Sequence, residues 1–457
     1  MNLDKVKSLY FVGAGGIGMS ALVRYFLSKH KIVAGYDRTE TKLTEELTEE
    51  GAQIHYEDNL GLIPLECLNP ETTLVVYTPA IPETHQELTY FRTNGFTIMK
   101  RAELLGAITR NSRGLCIAGT HGKTTTSSML AYLLAQSHVG CNAFLGGILK
   151  NYNSNLILSA TSDLTVIEAD EFDRSFHHLT PYMAVITAVD PDHLDIYGTA
   201  EAYRESFEHF TSLIQPGGCL VMKKGLQMTL RLQPNVELYT YSVEGDGDFN
   251  ATNIRIGNGE IFFDFEGPDV SIRDIQLGVP VKVNIENGVA AIAIAWMNGV
   301  SEEEIKAGMA SYQGAERRFD FHLKTDRIVL IDDYAHHPQE VKASIQSVKE
   351  LYKGRKVTGV FQPHLYTRTR DFADQFAESL SLLDELILLD IYPAREEPIP
   401  GVTSKLIFDQ VTIPDKKLTD KAHFLEVLAS GTYEVVLMMG AGDIETFVEP
   451  AKKILST

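Results

Sequence analysis

Residues 119–125 have the types and spacing of a loop that binds the phosphates of a nucleotide. The loop lies between an apolar stretch typical of a strand and a stretch typical of a helix, and it contains Gly119, Thr120, His121, Gly122, Lys123, Thr124 and Thr125. Backbone amides at a helix start can surround phosphate oxygens, Lys123 can neutralise charge on a transferred phosphoryl group, and the Thr124 hydroxyl is placed to bind Mg²⁺. Ile117 stands where the common GxxxxGK[ST] motif has its first glycine. The loop therefore predicts a nucleoside triphosphate site, but not a common P-loop ATPase or GTPase.

Acidic residues after the next predicted strand, 164–167, could bind a metal ion beside these phosphates. The run EADEFD supplies Glu168, Asp170, Glu171 and Asp173. The carboxyl ends of parallel strands collect ligands, which favours a metal site over the usual explanation of such a run, a solvated acidic loop. A later strand end carries DPDHLDIYG, where His193 could complete the site beside Glu168. A structural histidine is the alternative at that position.

A second glycine loop, near the start of the chain, could bind a diphosphate. Gly13, Gly15 and Gly18 spell GxGxxG after a strand-like stretch, and Asp37 follows about one β-α-β unit later. Such glycines let backbone amides approach a pyrophosphate, and the acid can accept a hydrogen bond from a ribose hydroxyl. The pattern fits a UDP-sugar as well as NAD, and a tight turn without a ligand is the third interpretation.

Three later groups of polar residues are weaker signals individually. They are Asn284 and Asn287 at the start of an apolar stretch, Arg317 and Arg318 before Phe319, and the strand ends DDYAHHP (332–338) and QPHLYTRTR (362–370). Arginines at a strand end suit a carboxylate or a phosphate through paired hydrogen bonds, whereas a surface ion pair is the other explanation.

The elements that must position these motifs alternate between short apolar strands and helix-compatible stretches, which predicts an α/β fold with parallel sheets. The basic segment 109–114 marks a first boundary, residues 244–275 suggest hairpins, and another strand-first unit opens near residue 328. A chain of 457 residues is too long for one core and predicts two to four domains.

Composition excludes several functional classes. A formal net charge of -20 argues against sequence-independent binding to nucleic acid and against binding to an anionic membrane. The four cysteines have no paired spacing, which argues against a disulfide framework or a zinc site. The N-terminus has no export signal. The apolar stretch 288–300 is shorter than the roughly 20 residues that span a bilayer. We therefore predict a cytoplasmic protein whose anionic ligands are met by local positive groups.

Taken in order, the motifs resemble those of the Mur ligase family along essentially the whole chain. They are FVGAGGIGMS, GTHGKTTT, EADEFD, DPDHLDIYG, NIEN, RRFDFH, DDYAHHP, QPHLYTRTRDF and YPAREEPIPG. The resemblance implies three α/β domains: a Rossmann-like UDP-substrate-binding domain (1–108), a central P-loop ATPase domain with a parallel sheet and a small antiparallel sheet (109–313), and a Rossmann-like amino-acid-binding domain (314–457).

The resemblance also implies a reaction and its participants. The lactyl carboxylate of UDP-N-acetylmuramate would take the γ-phosphoryl group of ATP to form an acyl phosphate, which L-alanine then displaces. It further implies two Mg²⁺ ions, with Thr124, Glu168 and His193 as metal ligands.

Residue roles follow from the same resemblance. Lys123, Glu168 and His193 would be catalytic, and residues 119–125 with Asn287, Arg318 and Asp333 would bind ATP. The UDP-substrate would contact Gly13, Ala14, Gly15, Gly16, Ile17, Gly18, Asp37, Thr78 and Ala80. The amino acid would contact Tyr334, His336, His364 and Arg368.

The chain departs from the family pattern at Val283 and Leu365, where histidine and arginine are common, and at Phe207, near the place of a carbamylated lysine in some members. A ligase that recycles a murein tripeptide is the rival within the family, although GAGGIGMS and YPAREEPIPG favour alanine addition. An NAD-dependent oxidoreductase and a non-catalytic nucleotide sensor are alternatives of other classes. We expect a monomer or a weak homodimer.

Overall fold

The computed structural model describes residues 3–257, 259–394 and 396–456. The chain forms two compact units. Unit 1 comprises residues 1–250, 266–270 and 287–308, and unit 2 comprises residues 251–265, 271–286 and 309–457. Both units have the predicted α/β character, with sheets whose strands alternate with helices along the chain.

The first part of unit 1 is a five-stranded parallel sheet with strand order β3-β2-β1-β4-β5. Strand β1 is buried along its whole length, which is typical of a central strand covered on both faces. The elements are β1 (Ser8–Val12), α1 (Ile17–Ser28), β2 (Ile32–Tyr36), α2 (Lys42–Glu49), β3 (Gln53–His55), β4 (Thr73–Tyr77), α3 (Gln86–Thr93), β5 (Thr97–Lys100) and α4 (Arg101–Thr109). Single-turn 3₁₀ helices occupy residues 3–5, 60–62 and 65–67.

The second part of unit 1 contains seven neighbouring strands in the order β12-β11-β10-β6-β9-β7-β8. All adjacent pairs are parallel except β7 with β8. The elements are β6 (Arg113–Ala118), α5 (Lys123–Ala135), β7 (Asn142–Leu149), β8 (Ser154–Ile157), β9 (Leu164–Glu168), β10 (Pro181–Ile186), α6 (Leu194–Tyr197), α7 (Ala200–Thr211), β11 (Cys219–Lys223) and β12 (Glu237–Ser242). A 3₁₀ segment, 172–178, follows β9.

Strand order explains why the central motifs meet. Strand β6 lies between β9 and β10, so the phosphate loop, the acidic run and the DPDH segment leave the carboxyl ends of three adjacent parallel strands. Ligands collect at that edge of a parallel sheet. The sequence prediction of one shared site in the middle of the chain is therefore consistent with the topology.

One hydrophobic core joins both parts of unit 1. It includes Leu9 and Phe11 of β1 together with Ile167 of β9 and Phe207 of α7. Buried polar contacts run through the same region: Arg24 of α1 donates to Asn155 Oδ1 of β8 at 2.8 Å, and the Asn155 amide donates back to the α1 backbone. Phe207 is fully buried in this core, so an apolar ring fills that position.

Unit 2 contains a six-stranded sheet with strand order β16-β17-β21-β18-β19-β20, in which only the β16–β17 pair is antiparallel. Its elements are β16 (Asp320–Lys324), β17 (Val329–Asp333), α10 (Pro338–Leu351), β18 (Val357–Phe361), α11 (Tyr366–Leu380), β19 (Glu385–Leu388), α12 (Lys405–Phe408), β20 (Lys416–Leu418), α13 (Phe424–Ala429), β21 (Val435–Met439) and α14 (Val448–Ser456). A 3₁₀ helix covers residues 443–447.

The chain passes between the units through three hairpin-like strands and two helices. The strands are β13 (Phe249–Gly257), β14 (Glu260–Gly267) and β15 (Val270–Gln276), and the helices are α8 (Val283–Met297) and α9 (Glu302–Ser311). The strands follow one another in sheet order, as predicted for hairpins. Helix α8 begins at Val283, one residue before Asn284, which the sequence analysis placed at the start of the apolar stretch. Across the described residues, no helix has the length and apolar character needed to cross a membrane.

Candidate active site

The phosphate loop owes its shape to two glycines in conformations that other residues rarely adopt. Gly119 has φ +141° and Gly122, which precedes α5, has φ +81°. A Cβ atom on Gly119 would overlap Thr187 Oγ1, so the loop lies directly against the end of β10. Thr120 strengthens this contact, since its amide donates to Ala188 O at 3.0 Å and its hydroxyl donates to Asp190 O at 2.7 Å. The loop is thus held open at the start of a helix, where amides can bind phosphate.

Asn287 lies beside this loop, as predicted. Its Oδ1 accepts a hydrogen bond from Thr126 Oγ1 at 3.2 Å and would lie 2.8 Å from a Cβ atom on Gly122. Thr124 is buried at the first turn of α5. The structure therefore brings the predicted nucleotide-binding residues of unit 1 to one place.

Lys123 forms a buried ion pair that the sequence did not reveal. Its Nζ lies 2.7 Å from Glu171 Oε2 and donates to Gly119 O at 2.7 Å. The two side chains are 14% and 2% exposed. Burial favours the neutral amine, but the carboxylates of Glu171, Asp170 and Glu168 outweigh it and leave the pKa of Lys123 above its ordinary value. The ammonium is therefore held charged at the phosphate loop.

The acidic run does not act as one cluster. Three of its members are each paired with a cation: Glu171 with Lys123, Asp170 with Arg101 at 3.1 Å, and Asp173 with Lys100 at 2.8 Å. Lys100 and Arg101 lie where β5 meets α4, about 70 residues earlier in the chain, so no local pattern could have indicated these pairs.

Glu168 is the member of the run that has no ion pair within the described part of the chain. Its Oε2 accepts a hydrogen bond from the Gly146 amide at 3.2 Å, and a Cβ atom on Gly146 would overlap both carboxylate oxygens. This carboxylate is thus held by the Gly146 amide and is available for a cation.

His193 packs its ring against Phe172 with centroids 5.1 Å apart, and its Nε2 lies 3.8 Å from Asp192 Oδ2. Phe172 and Glu168 line the same cavity.

The N-terminal glycine loop is also tightly built. Gly13 has φ +93°, and its amide donates to Tyr36 O at 2.8 Å. Asp37 Oδ2 accepts a hydrogen bond from the Gly15 amide at 2.7 Å, so the acid predicted to meet a ribose also fixes the loop. Residue 16 precedes α1, whose first amides are therefore available to a diphosphate.

A cavity of about 240 Å³ connects this glycine loop with the metal-binding candidate. Gly16, Ile17, Gly18 and Thr78 line one part of it, and Glu168 lines another. Arg101, which the sequence analysis did not select, also lines it. Ala80, in contrast, is exposed and is not among the described lining residues. One continuous space therefore borders both the glycine loop and the metal-binding candidate.

In unit 2, Asp333 and Arg318 lie around Tyr334. The Asp333 carboxylate accepts hydrogen bonds from the Phe319 amide at 3.3 Å and from Ser344 Oγ. Burial raises the pKa of Asp333. The Arg318 guanidinium lies 5.2 Å from the centroid of the Tyr334 ring, a cation–π distance.

The four residues predicted to meet the amino acid form a continuous group at the ends of β17 and β18. The rings of Tyr334 and His336 lie 5.2 Å apart, those of His336 and His364 lie 6.0 Å apart, and Arg368 Nη1 lies 3.2 Å from His364 Nδ1. Burial lowers the pKa of His336, which favours the neutral ring. Tyr392, which the sequence analysis did not select, stacks on His364 with centroids 5.7 Å apart. Arg395, in the predicted loop 391–401, lies outside the described residues.

A separate polar cluster lies in the first sheet of unit 1. Asp58, His85 and Glu87 are, among the described residues, the group of three potential ligands within 4.8 Å of one another. Their oxygens already have protein donors, since Asp58 accepts from the Gln86 amide at 2.9 Å and Glu87 accepts from Tyr10 Oη at 2.7 Å. Burial raises the pKa of Glu87 to about 7. This cluster caps α3 and does not resemble an open metal site.

Comparison with known protein families identifies three successive matches. Residues 8–113 match the model for the Mur ligase family catalytic domain, residues 117–295 match the Mur ligase middle domain, and residues 317–444 match the Mur ligase glutamate ligase domain.

Curated relatives and solved structures match nearly the whole chain. The chain is 72% identical to the UDP-N-acetylmuramate–L-alanine ligase of Parabacteroides distasonis, covering 100% of this chain and 98% of that protein. It is 64% identical to the enzyme of the same name from Phocaeicola vulgatus, covering 98% of each. The crystal structure of UDP-N-acetylmuramate-alanine ligase MurC from Thermotoga maritima has a TM-score of 0.82 at 26% identity, covering 98% of each chain. A murein peptide ligase from Psychrobacter arcticus shares the fold, with a TM-score of 0.68 at 19% identity and 99% of each chain covered.

Proposed function

The chain belongs to the Mur ligase family, and from this premise we propose that it joins L-alanine to the lactyl carboxylate of UDP-N-acetylmuramate at the expense of ATP. The products are UDP-N-acetylmuramoyl-L-alanine, ADP and phosphate, which makes the reaction a step of peptidoglycan precursor synthesis. The observation that carries the proposal is the cavity that runs from the glycine loop to Glu168, beside a phosphate loop on the adjacent strand.

The first chemical step is phosphoryl transfer. A lactyl carboxylate oxygen attacks the γ-phosphorus of ATP, the bond from that phosphorus to the bridging oxygen breaks, and ADP leaves. Lys123, held charged by Glu171, stabilises the negative charge that develops on the transferred group. Asn287 and the amides of the phosphate loop hold the triphosphate, with Arg318 and Asp333 as further ATP-binding residues.

Two Mg²⁺ ions belong to this proposal, and the side chains present fit them. Glu168 has no ion pair among the residues that the structure describes, and a Cβ atom on Gly146 would overlap its carboxylate oxygens. Thr124 would hold one ion and Glu168 with His193 the other. When bound, such ions offset the repulsion between the anionic carboxylate and the triphosphate.

The second step forms the amide bond. The amine of L-alanine attacks the acyl carbon, the acyl carbon–oxygen bond breaks, and inorganic phosphate leaves as the amine loses a proton. Tyr334, His336, His364 and Arg368 would surround the amino acid, with Arg368 pairing with its carboxylate. The neutral state favoured for His336 avoids repulsion with the incoming ammonium group.

We assign the UDP moiety to Gly13, Ala14, Gly15, Gly16, Ile17 and Gly18 with Asp37, Thr78 and Ala80. We also propose domain boundaries at residues 108/109 and 313/314. They are supported by the starts of two family matches, at residues 117 and 317, which lie a few residues after these boundaries. The middle-domain match itself ends earlier, at residue 295.

One assay tests the reaction. The protein is incubated with ATP, Mg²⁺ and UDP-N-acetylmuramate, together with either L-alanine or the murein tripeptide, and phosphate release and product mass are measured. We expect phosphate and the alanyl product in equal amounts. Turnover with tripeptide alone would identify a recycling ligase instead, and nucleotide binding without phosphate release in either mixture would identify a sensor.

A further inference from the structure

The cavity next to the glycine loop needs a source of positive charge. The protein has a formal net charge of -20, and two carboxylates, Glu168 and Asp170, line the cavity. A diphosphate entering this space would meet the amides at the start of α1, but it would also meet that negative field. Arg101 is the only basic side chain among the described residues that line the cavity.

The geometry of Arg101 suits a bridging role. One of its Nη atoms donates to Asp170 Oδ2 at 3.1 Å, which orients that edge of the guanidinium. The other would lie 2.7 Å from a Cβ atom on Gly18, so it sits against the first turn of α1. A guanidinium has five N–H donors in a planar fork, so a side chain oriented by one carboxylate still offers donors to a second anion.

We propose that Arg101 binds the diphosphate of the UDP-substrate, with Asp170 as the positioning residue that orients its guanidinium. The inference rests on the proposed function only in the choice of a UDP-linked substrate. It assigns Asp170 to substrate recognition rather than to metal binding, and it explains how an acidic protein retains an anionic diphosphate.

Lys100, the last residue of β5, provides a matched control directly before Arg101 in the chain. It also pairs with an aspartate of the acidic segment, Asp173, at 2.8 Å, but it does not line the cavity. Arg101→Met and Lys100→Met therefore each remove one ion pair between the β5–α4 junction and that segment. Only the first removes a cation from the proposed diphosphate site.

The experiment is calorimetric titration of the full-length protein and its variants with UDP and with UMP. We expect Arg101→Met to weaken UDP binding by about 10- to 100-fold, as the loss of charge-assisted hydrogen bonds would, and to reduce the preference for UDP over UMP. Arg101→Lys, which keeps the charge without the fork, should give an intermediate affinity. Lys100→Met should bind UDP within about threefold of the unchanged protein.

Two results would overturn the assignment. One is an Arg101→Met protein, folded by circular dichroism, that binds UDP as tightly as the unchanged protein. The other is an equal loss for UDP and UMP, or an equal loss in Lys100→Met, because either would point to disturbed packing of α4. The titrations contain neither ATP nor amino acid, so their outcome is independent of whether the protein ligates alanine.

Discussion

Replacing Lys123 by methionine should separate the structural and chemical contributions of the phosphate-loop lysine. Lys123→Met leaves Glu171, whose side chain is 2% exposed, without its cation. The carboxyl must then remain charged in a buried position or take up a proton. Taking up a proton at pH 7.5, from an ordinary pKa of 4.5, costs about 4 kcal/mol because each pH unit is worth about 1.4 kcal/mol. This agrees with the roughly 3–5 kcal/mol typical of breaking a buried pair.

The double variant Lys123→Met/Glu171→Gln removes the charge problem but not the chemical defect. We expect it to recover at least about 2 kcal/mol of the stability lost in Lys123→Met, since both remaining side chains are neutral. Stability is measured by urea denaturation followed by circular dichroism. Phosphate release in the presence of all substrates should fall on the order of 10³-fold or more in both variants, because neither can stabilise the transferred phosphoryl group.

Two outcomes would refute this reasoning. If the double variant were no more stable than Lys123→Met, the ion pair would not be the reason for the instability of the single variant. If either variant retained near-normal turnover, Lys123 would not contact the transferred group, and residues 119–125 would not be the catalytic phosphate loop.

Three further predictions concern other parts of the protein. Gly146→Ala should raise the Mg²⁺ concentration that gives half-maximal phosphate release by about tenfold or more, because the new Cβ displaces Glu168. Gly257→Ala is its control, since a Cβ atom added there meets no atom of the described, non-adjacent residues within 4 Å. Glu87→Gln should stabilise the protein above pH 7 by up to about 3 kcal/mol. Burial raises the pKa of Glu87 from 4.5 to about 7, so the contribution of Glu87 to the free energy of unfolding is largest below pH 4.5 and is lost as the pH rises to 7. Equal unfolding midpoints of the two proteins at pH 8 would contradict this. Arg368→Met should raise the KM for L-alanine about 10- to 100-fold while UDP affinity, measured by titration, stays unchanged.

The parts of the site that could be predicted from the sequence are those determined by neighbouring residues. Three features are visible in the local sequence: a glycine before a helix, a Lys-Thr pair after that glycine, and acidic residues at a strand end. Elements β6, α5 and β9 lie where these features predicted them. The start of α8 was predicted within one residue, because Asn284 was placed at the start of the apolar stretch and the helix begins at Val283.

What could not be predicted depends on contacts between distant segments. Glu171 and Asp170 have the same local surroundings as Glu168, and only the tertiary fold assigns Lys123 to one and Arg101 to another. Strands β7 and β8 were not predicted, although β7 carries the glycine that cradles Glu168. Gly146 gives no local signal, since its role is to leave space for a side chain on another strand.

The buried contacts between α1 and β8 limit how this family can exchange parts. Asn155 is fully buried, it accepts from Arg24 at 2.8 Å, and it donates to the backbone of α1 at 2.6 Å. Recombination near residue 108 could replace the N-terminal segment with one from another protein. The buried polar groups would then lose their hydrogen-bond partners, at a cost of about 1–3 kcal/mol for each unsatisfied group. We therefore expect the substrate-recognition segment and residue 155 to be inherited together, even though the linear sequence presents them as belonging to separate modules.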